Sequence, residues 1–64
     1  MARLLRMKEV EKKVGRSERT IRRLMARGAF PMPIRYLHST SIGWLESEID
    51  AWIEECIRHT RSAT

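Results

Sequence analysis

Three arginines, Arg19, Arg22 and Arg23, stand within five residues of one another in a segment with helical periodicity. The apolar residues of this segment are spaced i, i+3 and i+4 and therefore share one helix face; they are Ile21, Leu24 and Met25. At about 100° per residue, Arg19 and Arg23 point away from that face, and Arg22 lies beside them. Guanidinium groups in a row can pair with guanine edges and with phosphates, so this pattern favours contact with a nucleic acid.

Both ends of the segment carry capping signals. Ser17 can accept a hydrogen bond from a free N–H group of the first turn, and Gly28 can adopt the left-handed conformation that ends a helix. The same N–H groups can receive a phosphate oxygen, which is a second role for the Ser17 end. Thr20 flanks the exposed face and can reach a phosphate or a thymine methyl. The sequence predicts a recognition helix over residues 18–27 that suits the major groove of DNA.

The net charge of +5 is unevenly distributed along the chain. Residues 1–38 contain eleven basic and three acidic residues, whereas residues 39–64 contain two basic and five acidic ones. A surface polarised in this way can direct one face toward a polyanion, although basic residues also serve solubility alone. Of the basic residues, Arg16 and Lys13 border the turn before the recognition helix and are candidate phosphate contacts.

Length and composition exclude several classes of protein. Sixty-four residues predict one small domain, residues 1–64, without room for a deep catalytic cleft. The single cysteine, Cys56, cannot form an internal disulfide, which favours a reducing, cytoplasmic compartment close to the nucleoid. We expect neither a signal peptide nor a membrane-spanning segment. His38, His59 and Cys56 lack the spacing of metal ligands, so we expect no metal and no cofactor. No nucleophile lies near a plausible base, so we expect no enzymatic activity.

The remaining elements follow from periodicity and from breaker residues. A helix over 8–14, a turn at Gly15 and the recognition helix make a helix-turn-helix. Two prolines at 31 and 33 end the helical region. A β-hairpin over 34–44, with His38–Thr40 as its turn, is then the wing, with an irregular loop as the alternative. Its candidate DNA contacts are Arg35, Tyr36 and His38.

The last predicted helix covers residues 48–59. Its apolar residues recur at i, i+3, i+4, i+7 and i+8 and are Ile49, Trp52, Ile53, Cys56 and Ile57. Ser47 with Asp50 resembles a capping box at the start of the helix. Cys56 should be buried with the rest of the apolar stripe. The end of the helix, Thr60–Thr64, should fray. Trp44 and Trp52 are better explained as core residues than as platforms for stacked bases. The predicted fold class is mainly α with a small β-hairpin, a winged helix-turn-helix.

An ordered set of short motifs resembles the AlpA family of phage and prophage regulators, which is close to the excisionases and to MerR-type DNA-binding domains. The motifs are G-x-S-x-x-T-I from Gly15, F-P-x-P from Phe30 and W-x-x-S-E-I-D-A-W-I from Trp44. The resemblance implies a winged helix-turn-helix that binds DNA. Two positions depart from the family: Arg22 replaces a usual aromatic residue, and the wing turn lacks the usual Gly and Arg. His38 would supply a weaker, pH-dependent contact there.

Three functions are compatible with these features. The first is a sequence-specific transcriptional regulator of prophage or integrated-element genes, such as an integrase gene, bound to double-stranded DNA. The second is an excisionase that bends DNA and recruits an integrase. The third is an inhibitor whose acidic last helix docks on another regulator. Because one winged module contacts few base pairs, tight binding by either DNA-binding protein would need a homodimer or cooperative tandem sites.

Overall fold

A computed structural model describes residues 2–62 of the chain. Along this part of the chain a short strand precedes two helices, and a hairpin precedes a longer third helix. The elements are β1 (Leu4–Leu5), α1 (Met7–Val14), α2 (Glu18–Ala26), β2 (Ile34–Arg35), β3 (Ile42–Leu45) and α3 (Glu46–Ser62). The predicted fold class is confirmed: the chain is mainly helical with a small antiparallel sheet, as in a winged helix-turn-helix.

The helix-turn-helix is formed by α1 and α2. The Glu9 carboxylate accepts a hydrogen bond from the Arg6 backbone N–H at 3.0 Å, and α1 begins at the next residue, one residue before the predicted start. Val10 of α1 and Ile21 of α2 are both fully buried, so the two helices pack through their apolar faces. The exposed faces of α1 and α2 carry the basic residues.

A Schellman motif ends α2 and turns the chain toward the wing. The Ala29 N–H donates to the Leu24 carbonyl at 2.8 Å, and the Gly28 N–H donates to the Met25 carbonyl at 3.0 Å. Gly28 has φ = +69°, which a residue with a side chain rarely adopts. Arg27 is the cap and not part of α2, so the helix ends one residue before the predicted end.

The sheet has three strands in the order β1-β3-β2, all antiparallel. Leu5 pairs with Trp44 on one side of β3, and Arg35 pairs with Ile42 on the other. The predicted hairpin is present. Its first strand, β2, is shorter than predicted, and its second strand, β3, extends one residue further, to Leu45.

The sequence predicts that Leu4, Leu5 and Met7 run extended into the first helix; Leu4 and Leu5 are extended, but Met7 is already in α1. The pairing of β1 with β3 was not predicted, because a strand of two residues shows no alternation of apolar and polar residues.

The core lies between the sheet and the three helices, and its buried side chains are Leu5, Val10, Ile21, Phe30, Trp44 and Ile49. Both tryptophans also fix the segment after α2. Trp44 Nε1–H donates to the Pro31 carbonyl and Trp52 Nε1–H to the Ala29 carbonyl, each at 2.9 Å. The Phe30 ring meets Trp52 edge-on at a centroid distance of 4.8 Å. The structural interpretation of the two tryptophans is therefore confirmed.

The third helix differs from its prediction at both ends. It begins at Glu46, directly after β3, so Ser47 lies inside the helix and the predicted capping box is wrong. Residues 60–62 are helical and not frayed; the Ser62 hydroxyl donates to the Arg58 carbonyl at 2.8 Å. Residues 63 and 64 lie outside the described residues.

None of the helices described in residues 2–62 has the length and apolar character needed to cross a membrane.

Cys56 is exposed, which contradicts its predicted burial. The apolar stripe of α3 is fully buried at Ile49 and half-buried at Trp52 and Ile53, but Cys56 and Ile57 are exposed. Helical periodicity places all five residues on one side, yet the rest of the domain covers only the first half of that side. The second half of α3 therefore projects from the domain.

Candidate nucleic-acid interface

The outer face of α2 presents arginines to solvent. Arg19, Arg22 and Arg23 are all exposed, while Ile21 anchors the opposite side of the helix in the core. Within residues 2–62, the side chains of Arg19 and Arg23 form no ion pair and no hydrogen bond. These two guanidinium groups keep all of their donors for an external partner.

Arg22 is held differently from its neighbours. Its Nε donates to the Glu18 carboxylate at 2.8 Å, in an i, i+4 ion pair with both side chains about half exposed. Such a pair is weak in solvent, on the order of 0.3–0.5 kcal/mol. It orients the guanidinium group of Arg22 but can be replaced by a contact with an external partner. Arg22 therefore lies along one edge of the α2 face in a defined direction.

The first turn of α2 is closed by two hydroxyl side chains. The Ser17 Oγ accepts from the Thr20 N–H at 3.4 Å and donates to the Thr20 Oγ1 at 3.2 Å. The long N···O distance indicates a weak cap bond, and Ser17 is exposed. Ser17 is thus the N-cap of α2, as the sequence indicated. The cap also keeps Thr20 at the edge of the arginine face.

A shallow groove of about 320 Å³ separates α2 from the wing. It is lined by residues of α2, of the wing and of the start of α1, namely Arg22, Tyr36, Ser41, Ile42, Arg6 and Met7. Sequence analysis did not select Arg6, because nothing local to residues 3–7 indicates that the fold brings it beside α2. The groove thus combines two guanidinium groups and a phenol, which are all donors suited to a phosphate.

The Tyr36 hydroxyl packs closely against the middle strand at Gly43, where there is no side chain. A Cβ at Gly43 would stand 3.2 Å from the Tyr36 hydroxyl oxygen and 3.2 Å from the Leu5 carbonyl oxygen, which is closer than ordinary packing allows. The phenol of Tyr36 therefore lies across β3 at Gly43 and is only partly exposed. The absence of a side chain at Gly43 leaves room for this close contact with a wing residue.

The tip of the wing carries an apolar side chain and a histidine. The Ser39 N–H donates to the Tyr36 carbonyl at 3.2 Å, and the Ser41 N–H donates to the Ser39 hydroxyl at 3.0 Å. His38 lies at the turn with φ = +59° and is exposed. Leu37 next to it is 85% exposed. Arg35 is exposed on β2 and forms no ion pair within the described part of the chain.

Lys13 lies in a partly exposed ion cluster at the junction of α1 and α3. Its Nζ is 2.9 Å from a Glu46 carboxylate oxygen and 2.9 Å from an Asp50 oxygen. The hydrogen bonds that Lys13 donates to Glu46 and then to Asp50 raise the pKa of Lys13, and the bond donated by Lys13 lowers the pKa of Glu46. Arg3 joins the cluster by pairing with Glu46 at 3.2 Å and with Glu9 at 2.9 Å.

The two candidate phosphate contacts beside the turn, Lys13 and Arg16, differ in whether the cluster includes them. Lys13 has its charge compensated by two carboxylates, so its geometry does not support the predicted phosphate contact. Arg16, in the turn before α2, is exposed and forms no ion pair among residues 2–62, so it keeps the donors that a phosphate contact requires.

The described residues also contain no group of three or more His, Cys, Asp or Glu side chains arranged to hold a metal ion.

Comparison with known proteins identifies the family. Residues 3–57 match the family model described as prophage CP4-57 regulatory protein (AlpA). Neither a curated protein nor a solved structure matches the chain significantly. The family match covers all the described elements except the end of α3 and confirms the resemblance drawn from the sequence motifs. The chain therefore belongs to the AlpA family of prophage regulatory proteins.

Proposed function

We propose that the protein is a sequence-specific DNA-binding regulator of prophage or integrated-element genes, such as an integrase gene. The observation that carries the proposal is the face of α2, where Arg19 and Arg23 are exposed without an internal partner on a helix whose other side is buried. A capped helix of nine residues with this face fits the major groove, which admits one α-helix. Membership in a family of regulators supports the same conclusion.

The candidate residues divide into two roles in this proposal. Arg19 and Arg23 lie on the outermost face of α2 and would contact base edges, where a bidentate pair with guanine gives sequence discrimination. Residues around that face would contact phosphates and sugars and so fix the register of the protein on DNA. These surrounding residues are Arg6, Arg16, Ser17, Thr20, Arg22, Arg35, Tyr36 and His38.

Fluorescence anisotropy tests the proposal. A duplex from upstream of the proposed target, an integrase gene of the same element, and a scrambled duplex of equal length are titrated at several salt concentrations. A specific regulator binds the native duplex more tightly by a factor of at least about 10³, and both affinities fall steeply as salt rises. Equal binding to the two duplexes, or no binding at low salt, would contradict the proposal.

Leu37 favours a second candidate, an excisionase that bends DNA. Architectural proteins insert apolar side chains into the minor groove and kink the duplex by about 20–90°. Leu37 is 85% exposed on a turn held by two hydrogen bonds and stands beside His38. An end-labelled duplex would show increased energy transfer on binding of the parent and less with Leu37→Ser. An unbent duplex with the parent leaves the transcriptional regulator as the proposed function.

A further inference from the structure

The groove between α2 and the wing collects hydrogen-bond donors from three separate parts of the chain. Arg6 directly precedes α1, Arg22 lies in the middle of α2, and Tyr36 follows β2 in the wing. Within residues 2–62, no aspartate or glutamate lines the groove. In contrast to the ion cluster around Glu46, the groove therefore keeps its positive charge and attracts an anion.

The donors of the groove are available to a ligand. The Arg6 guanidinium group forms no ion pair within the described part of the chain. Arg22 uses only its Nε in the bond to Glu18 at 2.8 Å, which leaves both of its Nη groups. The Tyr36 hydroxyl forms no hydrogen bond among residues 2–62, although it lies close to the strand at Gly43. Two guanidinium groups and one phenol O–H can together donate to the oxygens of one phosphate.

The remaining lining suits the sugar beside a phosphate. Met7 and Ile42 are half-buried and give the groove apolar surface, and Ser41 adds an exposed hydroxyl. A nucleic-acid strand presents charged phosphate oxygens next to the carbon atoms of its sugars. A groove that combines uncompensated guanidinium groups with apolar surface therefore fits a sugar–phosphate unit better than a fully hydrated small anion.

The position of the groove in the fold identifies the source of that unit. A sugar–phosphate strand separates the major groove of DNA from the minor groove. If α2 lies in the major groove and the wing lies at the neighbouring minor groove, this strand runs between α2 and the wing. We propose that the groove holds one phosphodiester of the DNA backbone, bound jointly by Arg6, Arg22 and Tyr36. The inference rests on the proposed function and adds one shared phosphate site to it.

A shared site has a signature that two separate phosphate contacts lack. Removal of both arginines should lower the slope of log affinity against log salt by about 1, because one phosphate is lost, whereas two separate contacts would lower it by about 2. The losses of affinity in the two single variants should not multiply in the double variant. Native and scrambled duplexes should be affected equally, because a phosphate contact carries no sequence information.

Fluorescence anisotropy of Arg6→Ala, Arg22→Ala and the double variant on both duplexes measures these quantities. Each single variant should weaken binding by about tenfold, the low end for a hydrogen bond to a charged group, because the groove is open to solvent. Arg58→Ala is the matched control and should bind like the parent, because Arg58 also forms an exposed ion pair within one helix but lies on α3. Parent-like affinity and salt slope in the double variant would overturn the proposal.

A second measurement locates the phosphate on the DNA. A series of native duplexes, each with one uncharged methylphosphonate in place of a phosphate, is titrated with the parent and with Arg6→Ala/Arg22→Ala. At one position in each binding site, the replacement should weaken the parent by about tenfold and leave the double variant unchanged. A double variant that responds at every position as the parent does would contradict a phosphate site in this groove.

The outcomes separate this proposal from the proposed function. Equal binding of the parent to both duplexes would contradict a sequence-specific regulator, yet the salt slopes on either duplex would still test the groove. A parent that binds no DNA would overturn both proposals.

Free inorganic phosphate is the other source of the same anion. Exchange of chloride for phosphate at equal ionic strength should shift the melting temperatures of the parent and of Arg6→Ala/Arg22→Ala equally. A larger shift for the parent, together with parent-like DNA binding by the double variant, would assign the groove to free phosphate and overturn the proposal.

Discussion

Basic side chains in two regions of this protein are in opposite electrostatic states. At the junction of α1 and α3, Arg3 and Lys13 lie among carboxylates at 2.9–3.2 Å, and their charges are compensated. On the outer face of α2, Arg19 and Arg23 have no such partner within residues 2–62. The charge available to a polyanion is therefore set by which cations the fold leaves uncompensated, and not by how many the sequence contains.

Two arginines of the α2 face repel each other in the folded protein. Arg19 and Arg23 are spaced i, i+4, and like charges at this spacing destabilise a helix by about 0.2–0.5 kcal/mol. Binding of an anion relieves this repulsion, whereas in the absence of an anion the arginine pair slightly destabilises the folded protein. The ion cluster shows the reverse behaviour, since it contributes to folding and leaves little charge for a ligand. The following predictions separate these two behaviours.

The largest effect is expected from Trp44→Ala, because Trp44 supports both regions from the core. Its side chain is fully buried and its Nε1–H donates to the Pro31 carbonyl. Its loss should cost about 3–5 kcal/mol of unfolding free energy, most of what so small a domain has. Trp52→Ala, at a half-buried position, should cost less. Urea denaturation followed by circular dichroism measures both, and an unchanged midpoint for Trp44→Ala would contradict the described core.

Next in size is the effect of Arg19→Ala or Arg23→Ala on DNA binding. Each should weaken binding to the native duplex by about 1–3 kcal/mol and relax its preference over a scrambled duplex. Stability should be equal to the parent's or slightly higher, because alanine favours helix and the repulsion is lost. Arg27→Ala, a change at an exposed arginine beyond the end of α2, is the control and should bind like the parent.

Lys13→Ala should have the opposite pattern from the α2 variants. Removal of Lys13 leaves Glu46 and Asp50 without their shared cation, so the melting temperature should fall. Affinity for DNA should not change, because Lys13 already has internal partners. Thermal melts and anisotropy on one preparation measure both quantities. A Lys13→Ala protein of unchanged stability but weaker DNA binding would place the binding surface at the ion cluster.

The smallest expected effect is a pH dependence of stability from the cluster. The pKa of Glu46 is lower in the folded protein than its ordinary value, because Lys13 donates a hydrogen bond to it. Its stabilising contribution is therefore present above the unfolded pKa and is lost as pH falls through the folded pKa. Melts between about pH 5 and pH 2 should show a smaller decline for Glu46→Gln than for the parent. Equal declines would contradict this assignment.

The local features of the α2 face could be predicted from the sequence. Periodicity, the Ser17 cap and the Gly28 terminus are all encoded within a dozen consecutive residues, and each is present in the structure. The pairing of Lys13 could not be predicted, because Lys13 and Glu46 are 33 residues apart. Arg6 was missed for the same reason, since only the tertiary fold brings it to the groove beside Arg22.

Element ends depended on tertiary context as well. The sequence predicts the apolar side of α3 correctly, but periodicity does not indicate where the domain stops covering it, so Cys56 was wrongly placed in the core. Likewise, α3 starts at Glu46 because β3 runs directly into it, and the capping signal at Ser47 is not used. These are the positions at which contacts between distant segments override local signals.

The salt dependence of DNA binding by the parent, Arg23→Ala and Lys13→Ala tests the central claim most directly. Each phosphate contact that a protein loses reduces the slope of log affinity against log salt by about 1. The account predicts that Arg23→Ala binds more weakly with relaxed preference for the native duplex, while Lys13→Ala keeps the parent's affinity, preference and slope. A shallower slope for Lys13→Ala, together with parent-like binding by Arg23→Ala, would contradict it.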